Sequence, residues 1–71
     1  MLKILTIRDG SRLLRTISVT LDDGRTVYAS RPLADCPTIA CRSYAEQVEW
    51  VAERVGENNQ AVSYARQLIA D

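Results

Sequence analysis

The apolar residues of this chain change their spacing once, and that change divides the sequence. Up to residue 30 they alternate with polar residues, as on a β-strand. From residue 43 they recur every three or four positions, as along one side of a helix. A chain that carries both spacings in succession has to bury a sheet face against helices, and an α+β two-layer arrangement does this.

Three strands are expected in residues 1–30. Leu2 to Ile7 is apolar and β-branched, with Leu2 and Ile4 on one side and Leu5 and Ile7 on the other. Either both sides of this strand are covered or a bulge shifts it. Arg8-Asp9-Gly10-Ser11 carries an Asp-Gly turn signal. In Leu13 to Leu21, Ile17, Val19 and Leu21 alternate with Thr16, Ser18 and Thr20, while Leu14 and Arg15 break the pattern. Asp22-Asp23-Gly24 is a second hairpin signal, and Thr26 to Ala29 forms a short third strand. The turns predict an antiparallel meander. One face carries Ile17, Val19, Val27 and Ala29, and the other carries Thr16, Ser18, Thr20, Thr26 and Tyr28, a polar face that an antiparallel sheet can leave in water.

Residues 31–42 read as a connector, because Pro32 and Pro37 interrupt regular structure. Its length suits a short helical turn or a binding role. Residues 43–70 read as a helical hairpin. Ser43-Tyr44-Ala45-Glu46 is a capping-box pattern. Tyr44, Val48, Val51, Ala52 and Val55 form an amphipathic stripe, and Gly56 stands where a C-terminal cap belongs. Asn58 or Asn59 can cap a second helix that places Ala61, Val62, Ala65, Leu68 and Ile69 on its apolar side. The expected fold is therefore α+β, βββαα: a three-stranded antiparallel β-meander followed by an antiparallel helical hairpin packed on one face. At 71 residues it is one domain, with a core too small to spare room for an active-site cavity.

The residue inventory argues against catalysis. Without a single His, the chain lacks the most common general acid/base and would leave a Ser or Cys nucleophile without its usual partner. The three glycines are scattered over turn and cap positions and make no phosphate loop. No cofactor and no metal site is expected. Cys36 and Cys41 are two thiols, and a zinc site takes four ligands. They read as reduced thiols, as a disulfide if the connector folds back, or as a redox switch. Cys41 beside Arg42 and ahead of a helix favours a thiolate.

Charge is balanced, nine Lys or Arg against nine Asp or Glu, which argues against direct nucleic-acid binding. It is not evenly spread: the front half is mildly basic and the back half mildly acidic. Arg12, Arg15 and Arg25, with Tyr28, make an alternative nucleic-acid surface on the sheet, set against ordinary solvation and edge protection. No stretch is long and apolar enough to span a membrane, and the N-terminus lacks a signal-peptide pattern, so the expected compartment is the cytoplasm.

The first helix stands out. At about 100° per residue, Glu46, Glu49, Glu53 and Glu57 fall opposite the apolar stripe, and Trp50 lands among them. A Trp ringed by carboxylates suits docking to a protein with a basic surface, such as a nucleic-acid-binding protein. Its competitors are a homodimer seam, packing on the connector, and a cation–π contact with Arg54. In size, in its lack of catalytic groups and in this acidic, aromatic helix, the chain resembles in type small phage and bacterial inhibitor proteins, among them anti-CRISPR proteins. That likeness implies a stoichiometric inhibitor that occupies its target's surface. It assigns no individual residue a role.

Overall fold

A computed structural model describes residues 1–71. The strands β1 (Leu2–Asp9), β2 (Arg12–Thr20) and β3 (Thr26–Pro32) precede two single 3-10 turns, Leu33–Asp35 and Ile39–Cys41. The helices α1 (Tyr44–Val55) and α2 (Gln60–Ala70) complete the chain. The sheet is antiparallel in the order β1-β2-β3. The fold is the expected α+β arrangement. No helix is long and apolar enough to cross a membrane.

Both hairpin signals act through backbone geometry. Asp9 pairs with Arg12, so Gly10 and Ser11 alone make the first loop. Gly10 adopts φ 62° and Gly24 φ 91°, left-handed values that cost a side-chain-bearing residue more than glycine. The caps also act locally. Ser43 Oγ accepts from the Glu46 N–H at 3.2 Å, and the Gly56 N–H donates to the Ala52 carbonyl at 2.8 Å. Of the two candidate asparagines, Asn59 caps α2, accepting from the Val62 N–H at 3.2 Å.

Register decides the two faces of the sheet. Ile4 opposite Ile17, Ile17 opposite Ala29, and Val19 opposite Val27 place these side chains on one face. There Ile4, Ile17, Val19 and Ala29 join Val48, Val51 and Ala52 of α1 and Ala61, Val62 and Ala65 of α2 in one core. The small residues on α2 let it lie close to the sheet and to α1. The ambiguity in β1 resolves without a bulge. Leu2 and Ile4 face the helices, while Leu5 and Ile7 lie on the outer face beside Thr16 and Leu14.

Two sequence expectations need correction. β3 does not end at Ala29. It runs to Pro32, with Arg31 opposite Arg15 and Pro32 opposite Leu14. Proline is tolerated because it ends an edge strand, where its missing N–H breaks no ladder bond. The outer polar face is also less wet than expected. Thr16 is only 1% exposed and Ser18 9% exposed, although no helix covers them. Both sit in the central strand, Thr16 between Leu5 and Ser30 and Ser18 between Lys3 and Tyr28, and the Thr16 and Ser30 hydroxyls bond at 2.9 Å.

Candidate functional site around Trp50

The helix periodicity places Trp50 on the acidic side of α1, and the structure tucks it inward. The indole is half-buried and packs against the core. Its cation–π partner is Arg31 of β3, not Arg54 four residues on: the Arg31 guanidinium carbon stands 4.6 Å from the ring centroid. Arg31 reaches this position because it is at the end of the helix-facing row of β3, where α1 crosses above the strand. Its side chain is 19% exposed and makes three further contacts. Nε donates to Asp35 Oδ2 at 3.0 Å, and Nη1 donates to the Trp50 carbonyl at 2.7 Å and to Glu53 Oε1 at 3.3 Å. The hydrogen bond to Asp35 leads the interactions that hold the guanidinium still more firmly protonated. Arg54 reaches the same Asp35 carboxylate at 4.0 Å.

The remaining carboxylates of α1 are paired as well. Arg66 of α2 binds Glu49 through two parallel bonds of 2.9 and 2.6 Å, the fork geometry that makes Arg–carboxylate pairs strong. Arg66 also reaches Glu57 at 3.5 Å. Arg42 donates to Glu46 at 3.2 Å, and the Ser43 hydroxyl donates to the same carboxylate at 3.1 Å. The Ser43 hydroxyl and then Arg42 hold Glu46 below the ordinary carboxylate range. The bond from Arg66 does the same for Glu49. Glu46, Glu49, Trp50 and Glu53 on α1, and Glu57 just past its Gly56 cap, each meet an arginine, so this strip presents alternating charges and not a bare acidic field.

Gln47 has a larger structural role than its sequence position suggests. It is 1% exposed, its Oε1 accepts from Arg15 Nε at 2.9 Å, and its Nε2 donates to the Arg42 carbonyl at 2.9 Å. Arg15 also donates to Thr6 Oγ1 at 3.0 Å. This chain of bonds ties the sheet to the N-terminal end of α1, and no buried side-chain polar atom lacks a partner. The signal was present: Gln47 precedes Val51 by four residues and therefore shares the apolar stripe.

The alternative nucleic-acid set does not converge. Arg12 lies at the first hairpin and Arg25 beside the second, at opposite ends of β2. Arg15 faces the helices, whereas Tyr28, 60% exposed, lies on the outer face. Arg25 is engaged with Asp23 at 2.7 Å. Cys36 and Cys41 are free thiols, half-buried and exposed respectively. Cys36 Sγ lies 3.9 Å from Thr38 Oγ1. No three His, Cys, Asp or Glu side chains gather in a metal-binding cluster. An open groove of about 420 Å³ runs between the second hairpin and the end of α2, lined by Leu21, Asp23, Arg25, Tyr64, Gln67 and Leu68 among others. It lies away from Trp50. Compared with protein-family models, with curated proteins and with solved structures, the chain matches none of them.

Proposed function

We propose that this chain is a non-enzymatic protein-binding module that docks through the α1 strip centred on Trp50. The observation that carries this is the partly exposed indole, stacked on Arg31 and flanked on the helix by carboxylates that arginines already hold in place. Trp and Arg are the residue types most often responsible for binding energy at protein interfaces. Side chains that are already ordered lose less freedom on docking. A basic partner surface would compete with Arg31, Arg42 and Arg66 for the same carboxylates. The partner that fits therefore brings donors to Glu46, Glu53 and Glu57, whose side chains are 56%, 69% and 82% exposed. In its finer form the module is an inhibitor that occupies a basic, nucleic-acid-binding surface of its target. The likeness in type to small phage and bacterial inhibitors supports that form.

The test is retention of a partner by tagged wild-type chain beside Trp50→Ala and Glu53→Lys, each checked by circular dichroism. Loss of one macromolecule by both folded variants is the expected result. Equal retention by both would move the docking site off α1.

A further inference from the structure

The two edges of the sheet differ. Met1 and Thr20 exchange main-chain hydrogen bonds, each 2.9 Å. Antiparallel pairs alternate between bonded and non-bonded, so Lys3, Leu5, Ile7 and Asp9 direct their main-chain groups to β2. Those of Leu2, Ile4, Thr6 and Arg8 point out of the open edge. Nothing in β1 blocks pairing there, since Leu2–Asp9 contains neither proline nor glycine. The β3 edge, by contrast, ends in Pro32. Helices α1 and α2 pack mainly over β2 and β3, with Ile4 of β1 in the shared core. An open edge of this kind is a template for another strand.

We propose that two copies of this chain associate through their β1 edges, antiparallel, with Thr6 of one copy opposite Thr6 of the second. The three strands of each copy then form one continuous sheet. This register brings Lys3 opposite Asp9 of the second copy, twice by symmetry, and Leu5 opposite Ile7, also twice. All four residues lie on the outer face, and all fall in the non-bonded pairs, where side chains approach most closely. Thr6 with Thr6, and Ile4 with Arg8 in each direction, exchange about six main-chain bonds. Symmetry allows only registers two residues apart. Centring on Leu5 puts Lys3 opposite Ile7, and centring on Ile7 puts Leu5 opposite Asp9. Only the Thr6 register pairs Lys3 with Asp9; Arg8 meets an apolar residue both here, at Ile4, and in the Leu5 register, at Leu2, so the outer-face ion pairs select the Thr6 register. The two β2 strands would stand roughly 14 Å apart, three strand spacings, which leaves room for helices about 10 Å across. The Trp50 strip stays free on both copies.

Sedimentation of the wild-type chain over a concentration series should give twice the 7.9 kDa chain mass. Thr6→Pro removes an N–H that points out of the edge, spares the β1–β2 ladder, and should abolish the dimer. Lys3→Asp and Asp9→Lys should each weaken dimerisation by about tenfold, because two like-charge contacts replace two ion pairs. Mixing these two variants restores both ion pairs and should recover the dimer. A wild-type chain that stays at the single-chain mass up to millimolar concentration would overturn the proposal. So would a dimer that Thr6→Pro and both charge variants leave intact, or two charge variants that fail to recover it on mixing while each keeps a native circular dichroism spectrum.

Discussion

The two faces of the sheet are buried by different means. On the inner face Ile17 and Val19 are closed off by apolar side chains of two helices, and the face is dry because something lies on it. On the outer face neither helix lies on Thr16, yet it is as inaccessible as Ile17. It sits in the middle strand between Leu5 and Ser30, and the hydroxyl bond to Ser30 satisfies what the neighbours enclose. Position in a sheet can bury a polar residue as completely as a helix buries an apolar one, provided its hydrogen bond is made. Two places away Tyr28 stands in water, since an edge strand has a neighbour on one side only.

Substitutions that separate the two kinds of burial differ widely in expected effect. Ile17→Ala opens a cavity beneath both helices and should cost about 3 kcal/mol in urea unfolding, a large share of the stability a domain this size holds. An effect under about 1 kcal/mol would mean the helices collapse onto the gap. Gln47→Ala should cost about 2 kcal/mol by the same measurement, because it strips partners from Arg15 and from the Arg42 carbonyl at the rim of that dry face. Gln47→Glu, which keeps the acceptor for Arg15, should recover part of this. Thr16→Val keeps the shape of the outer face and removes only a hydroxyl, for an expected loss of about 1 kcal/mol. If it equals Ile17→Ala, the two faces are not distinct in energy.

Acid should act on the helix layer more weakly still. Glu46 and Glu49 titrate lower in the folded chain than in the unfolded one. Their stabilisation is therefore complete above about pH 5 and is lost as pH falls through the ordinary carboxylate range near 4.3 toward the folded values. Both side chains are more than half exposed, so solvent screening keeps the effect of Glu49 under about 1 kcal/mol. Melting temperature followed from pH 7 to pH 3 in Glu49→Gln beside wild type measures it, with the smaller decline expected in the variant. Tyr28→Ser should change stability by no more than about 0.5 kcal/mol. A larger loss would show that the outer face is covered in solution.

The element order could be read from the sequence because its causes are local. Alternation over Thr16 to Thr20, the glycines of the two hairpins, and the Ser43 and Gly56 caps each act within a few residues. The end of β3 was harder to read, since Pro32 looks like a break until a strand edge makes its missing N–H harmless. The site was legible only as composition. Helix periodicity put Trp50 among the glutamates correctly as an angle about the axis, but a bulky indole beside the sheet folds down toward it.

The sequence by itself determined which segments are strands and helices, where they turn and which side of β2, α1 and α2 is apolar, because spacing and turn chemistry are near-neighbour properties. Tertiary structure alone decided the electrostatics of the candidate site. Arg31 meets Trp50 across 19 residues and Arg66 meets Glu49 across 17, and such partners are chosen by how the helical hairpin settles on the sheet. An acidic row in the sequence became a neutralised strip because arginines from β3, the connector and α2 were brought within hydrogen-bond reach of it.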